Sequence, residues 1–142
     1  MGKMQKIATI LLLTLNCIVL SAQTNGSLTF TFSTTSHSGK YGSSHAFAVW
    51  IENNSAAFVI TNLRQSKNSH VINSHLATWK AKSNLNVVDA TIGATLTSYS
   101  APITISWNGK DVSQTIVPDG DYTIWIEESW DVNPRRVRRA GR

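Results

Sequence analysis

The sequence predicts an all-β fold, and three observations carry that expectation. Leu28, Phe30 and Phe32 alternate with Thr29, Thr31 and Ser33, the period of two of a half-buried strand. Tyr122, Ile124 and Ile126 repeat the pattern near the other end. Turn signals separate the apolar runs: Asn53-Asn54-Ser55, Asn108-Gly109 and Pro118-Asp119-Gly120.

The elements follow in order. Residues 28–33 form the first strand. Phe47 to Ile51 is a dense apolar run that suits a strand buried on both faces. Ala57 to Leu63 returns after the Asn53 turn, so 45–63 reads as a β-hairpin. Residues 70–82 lack Gly and Pro and read as one short helix, with Ser74 as its cap and Leu76 and Trp79 on the buried side. Residues 83–95 read as loop or turn. Pro102 opens a strand with Ile103, Ile105 and Trp107 on one face. A short strand over Ser113–Val117 follows the Asn108-Gly109 turn, and 122–128 is the last clear strand. Short strands, turns and one small helix define an immunoglobulin-like antiparallel β-sandwich with one short helix.

Residues 1–22 have the form of a secretory signal peptide. Lys3 and Lys6 precede the apolar run Ile7–Leu20, and Leu20-Ser21-Ala22 offers a small-residue cleavage site. The run is shorter than the ~20 residues of a spanning helix, so no stable membrane span is expected after cleavage. The chain is expected to be periplasmic or secreted. Its single cysteine, Cys17, leaves with the leader, so a packed core and not a disulfide framework must hold the domain. The sandwich is expected over 23–133. Residues 134–142 read as a basic, disordered tail that leaves strand 122–128 with an unpaired edge and invites aggregation.

The net charge of +5 is concentrated at the ends. Between Gln23 and Asn133, six Lys and Arg face eight Asp and Glu. A nucleic-acid partner needs a basic face on a folded domain, so none is expected. His37, His45, His70 and His75 lack Cys partners and read as surface or loop residues, so no metal site is expected. Glu127 and Glu128 are adjacent and must point to opposite faces of a strand, a poor arrangement for a glycosidase. No Gly-x-Ser-x-Gly elbow and no phosphate loop occurs. The chain is therefore read as non-catalytic. Trp50, Trp79 and Trp107 are expected in the core, and Trp125 is placed on the opposite strand face, open to a partner or a sugar ring.

One peptide carries chemistry of its own. Asp89-Ala90-Thr91-Ile92-Gly93-Ala94-Thr95 resembles the acceptor motif of bacterial flavin transferases, Asp-x-x-Ser/Thr-Gly-Ala-Thr/Ser, with Ile92 where Ser or Thr is preferred. The resemblance implies covalent FMN on the Thr95 hydroxyl through a phosphoester, with Asp89, Gly93 and Ala94 shaping the cofactor site. Gly93 and Ala94 leave room for a bulky nucleotide to approach the backbone. Trp79, Tyr99 and Trp107 are candidates to stack on the flavin. Read without the motif, Asp89 and Gly93 are turn formers and Thr95 begins a strand.

Together with Ala46–Glu52, Leu76, Trp79, Trp107–Asp111 and Pro118–Tyr122, the heptapeptide makes residues 27–128 similar to the secreted bacterial domain-of-unknown-function family DUF2271. The final strand expected of that family is not evident here. The Trp107-Asn108-Gly109 and Pro118–Tyr122 portion is also similar to immunoglobulin-like modules of flagellar hook-capping proteins. The resemblance implies an extracytoplasmic electron carrier with a flavin transferase and membrane redox proteins as partners. The alternative is a structural or adhesion-type binding module with no cofactor.

Overall fold

A computed structural model describes residues 23–37, 43–66, 68–99 and 101–130, and the backbone of 135–141. The expected signal peptide, residues 1–22, lies outside the described residues. The elements run β1 (Leu28–Phe32), β2 (Ala46–Asn53), β3 (Phe58–Gln65), α1 (Ser69–His75), α2 (Ala77–Ser83), β4 (Thr91–Gly93), β5 (Ile103–Trp107), β6 (Tyr122–Ser129) and β7 (Arg135–Gly141). They form a five-stranded sheet in the order β4-β3-β2-β6-β7 and a two-stranded sheet of β1 and β5. The fold is all-β with two short helices.

β2 sits at the centre of the large sheet, as its apolar run requires, and is buried over Ala46–Glu52. The β2–β3 hairpin turns on Asn53, whose side-chain oxygen accepts from the amides of Ser55 and Ala57, both at 3.0 Å. Alternation splits β2 and β6 between two layers. Phe47 and Val49, with Leu63, Ile124 and Ile126, face the small sheet and meet Phe30, Phe32, Ile103 and Ile105. Phe32 meets Phe47 edge to face at 5.7 Å. Ala46, Ala48 and Trp50 face the other way and meet Ile72, Leu76 and Trp79 of the helical segment. The large sheet is thus a middle layer between a β-ribbon and two helical turns.

The structure corrects several expectations. The helix is two helices, broken at Leu76 (φ −117°, ψ 48°). Asn68, not Ser74, caps α1 by accepting from the His70 amide at 2.8 Å. Ser74 lies inside α1 and donates back to the His70 carbonyl, the back-bonding habit of helical serines. α2 starts without a local side-chain cap. Its first amides are instead met by a strand residue: Glu127 of β6 accepts from Thr78 N at 3.1 Å and Trp79 N at 2.7 Å. A carboxylate there answers both the unpaired donors and the positive end of the helix.

The sandwich is not wholly antiparallel, because β4 runs parallel to β3. Residues 113–117 form no strand. They turn around Asp111, whose carboxylate accepts from the amides of Ser113 and Thr115. The C-terminal segment is also ordered differently. Arg135–Gly141 forms β7, antiparallel to β6 from Ser129↔Arg135 to Ile124↔Gly141. β6 is therefore an interior strand and lacks the unpaired edge expected of it. Backbone pairing needs only donors and acceptors, so a run without apolar alternation can still complete a sheet, and dense positive charge suits an outermost strand.

Candidate functional site

The heptapeptide is part strand, part irregular. A turn brings the chain out of α2: Asn86 N donates to Ser83 O at 2.9 Å, and Ala90 N to Val87 O at 3.1 Å. Asp89 is exposed and left-handed (φ 57°), a region Asp tolerates better than most residues. Thr91–Gly93, expected as loop, is β4, paired Leu63↔Thr91, Arg64↔Ile92 and Gln65↔Gly93. Ile92 points outward and is 52% exposed. At Gly93 an added Cβ would fall 2.6 Å from the Gln65 side-chain oxygen, so the missing side chain accommodates Gln65. Thr95 lies beyond β4 in irregular backbone, just before the bridge His45↔Leu96.

Thr95 is half-buried and lines a small apolar cavity of about 170 Å³. His45, His70, His75, Ser129 and Trp130 share that cavity. Its hydroxyl has no hydrogen-bond partner among the described residues. Asp89 lies elsewhere: with Thr91 it lines a separate polar groove of about 350 Å³ between β3 and β5. The expected cofactor residues Asp89, Gly93, Ala94 and Thr95 therefore do not converge on one cavity.

His45 and His75 depart from the surface role expected of the histidines, whereas His70 is exposed. His45 is 1% exposed. Its Nε2 is 3.1 Å from the Thr34 hydroxyl, its Nδ1 3.2 Å from the Ser43 carbonyl, and its ring stacks on Tyr99 at 3.9 Å. Burial pushes the His45 pKa down, partly opposed by the Ser43 carbonyl. His75 is also buried, its Nδ1 2.9 Å from the Ser129 hydroxyl. His37 stacks on Trp130 at 3.7 Å. Burial pushes the Tyr99 phenol up, reinforced by the charge of Glu128. Among the described residues no group of three His, Cys, Asp or Glu side chains is placed to hold a metal ion.

Two expected flavin-stacking partners are committed to the core. Trp79 is fully buried, and its indole donates to the Thr61 hydroxyl at 2.9 Å; that hydroxyl in turn donates to the Asn86 carbonyl at 2.8 Å. Trp107 is 7% exposed and donates to the Lys110 carbonyl. Tyr99 remains near Thr95 through His45. Trp125 is half-buried against Trp50, rings parallel at 6.2 Å, and not an open platform. Glu127 and Glu128 do point to opposite faces. Glu127 serves α2, and Glu128 lies at the Tyr99 side. The grouping of His45, His75, Ser129 and Trp130 around Thr95 had no signal in residue spacing. Only the alternation of β6 placed Ser129 on the face of Glu127.

No protein-family model matches the chain, and no curated protein matches it. Among solved structures it is similar to truncated FlgD (monoclinic form) from the human pathogen Helicobacter pylori, strain 26695, at 20% identity and a TM-score of 0.44. The match covers 87% of this chain and 66% of that one.

Proposed function

We propose that this chain is an exported, non-catalytic β module that carries FMN covalently on Thr95 and passes electrons between extracytoplasmic redox partners. The observation that carries this reading is the Thr95 hydroxyl: it sits in irregular backbone at a cavity and has no hydrogen-bond partner among the described residues. A hydroxyl in that state is available to a modifying enzyme. In the transfer, the Thr95 oxygen bonds to the flavin-side phosphorus of a flavin dinucleotide. The pyrophosphate bond breaks, a nucleoside monophosphate leaves, and the hydroxyl proton passes to solvent. Ligand pockets of this class occupy about 300–1,000 Å³, so the 170 Å³ cavity suits the linkage and not the ring system. His70 and Trp130, which share the cavity with Thr95, are the residues that would flank the attached group. When bound, the flavin supplies the redox chemistry, and the protein supplies position and electrostatics.

The alternative is a cofactor-free structural or adhesion-type binding module. The separation of Asp89 from Thr95 favours it. Co-expression with a flavin transferase, followed by intact mass measurement, decides between them. The flavin reading expects one FMN addition, lost almost completely in Thr95→Ala and kept in Thr91→Ala. No addition to the parent chain, or addition that survives Thr95→Ala, rules it out.

A further inference from the structure

We infer that the groove between β3 and β5 is a binding site for a neutral saccharide of one or two rings, independent of any modification at Thr95. The groove exists because two strands run side by side without pairing. β4 pairs with only Leu63, Arg64 and Gln65 of β3, which leaves the outer edge of β3 open at Ile60–Asn62. β5 pairs with β1 alone, so its other edge is open too. Both open edges line the cavity of about 350 Å³, within the size range of small-molecule sites.

The lining chemistry selects the ligand. Asn62, Thr91 and Gln114 present neutral hydroxyls and amides, joined by the Thr104 and Ser106 hydroxyls, which already pair with Thr31 and Thr29 across the ribbon, and by Asn108, whose side-chain oxygen accepts from the Lys110 amide; no Lys or Arg among the described residues lines the groove. Such groups both donate and accept, as the hydroxyls of a sugar ring do. Asp89 adds one acceptor, and the flank of Ile105 offers apolar surface for a ring C–H face. An anionic ligand finds no counter-charge here. An extended peptide would want apolar pockets at alternate positions, whereas most residues lining the groove carry hydroxyl, amide or carboxylate groups.

A further observation points to an occupant. The Asn62 side-chain oxygen is buried and has no hydrogen-bond partner, a state that is costly unless a ligand or water meets it.

The test is a titration of the isotope-labelled protein with maltose, cellobiose and chitobiose, followed by amide NMR. Shifts confined to Asn62, Thr91, Asn108 and Gln114 are expected with at least one of the three, at about millimolar affinity. Asn62→Leu should weaken that binding about tenfold while leaving the melting temperature equal or higher, because an unpaired buried oxygen has been removed. A purely structural Asn62 would lower it. Asn54→Ala, in the exposed hairpin turn, should change neither. The inference is overturned if none of the three moves these amides at about 50 mM, roughly ten times the expected dissociation constant or more. It is equally overturned if a Ser/Thr-rich peptide moves them and the sugars do not, or if Asn62→Leu binds as the parent does.

Discussion

The two faces of the large sheet are built by different means. Toward β1 and β5 the contact is almost wholly apolar: Phe47, Val49, Leu63, Ile124 and Ile126 against Phe and Ile side chains. Toward the helices, buried polar groups interleave with the Trp residues. Glu127 holds the start of α2, Trp79 bonds to Thr61, and the Trp50 indole donates to Glu52, which also meets Lys82 at 3.3 Å. Burial alone holds the first face. The second depends on direction as well, because each buried polar atom is costly unless its partner is in place. Loss of one residue should therefore weaken the apolar face in proportion to volume, and the helical face in proportion to the donors left unmet.

The largest expected effect tests the apolar face. Phe47→Ala, at a site with no exposure, should cost about 3–5 kcal/mol in urea unfolding, with hydrogen exchange accelerated throughout the domain. Glu127→Ala should cost about 2–3 kcal/mol, and its exchange pattern is the sharper readout. α2 has seven residues, too few to persist unaided, so the amides of Lys80–Ser83 should lose protection first. Uniform loss in both variants would erase the distinction between the faces. Thr61→Val keeps shape and removes the link between Trp79 and Asn86; about 1–2 kcal/mol is expected, and no loss would mean the indole bond contributes little. The smallest effect is titration of His45. Its folded-state pKa lies below the ordinary value, so the unfolded chain takes the proton more readily. Stability should be complete above about pH 6.5 and fall as pH drops toward the folded value, by no more than about 1.4 kcal/mol per pH unit. His45→Gln should flatten that slope.

The two ribbon strands and β6 opposite them were readable because alternation is a local signal: Leu28-Phe30-Phe32, Ile103-Ile105-Trp107 and Tyr122-Ile124-Ile126 each carry it. The core placement of Trp107 was readable for the same reason, that of Trp50 from the dense apolar run around it, and that of Trp79 from its helical spacing with Leu76. The break at Leu76 was not, since no Gly or Pro marks it and the group that starts α2 belongs to β6. β7 was hidden because charge, not apolarity, dominates Arg135–Arg139. The surroundings of Thr95 come from separate stretches: the start of β2, α1, and the end of β6 with Trp130. Spacing within any one of them cannot report that meeting, and the polar groove depends likewise on β3 and β5 passing without pairing.

The Glu127 carboxylate reaches amides 49 and 48 positions earlier in the chain. During synthesis, residues 77–83 leave the ribosome well before the group that secures their first turn exists. That segment must wait, sampling turns of marginal stability, until β6 has emerged and found β2. Commitment of α2 is therefore a late event in the life of the nascent chain. A release point between Trp107 and Glu127 would yield a product with both ribbon strands present and its Trp79 side unfinished.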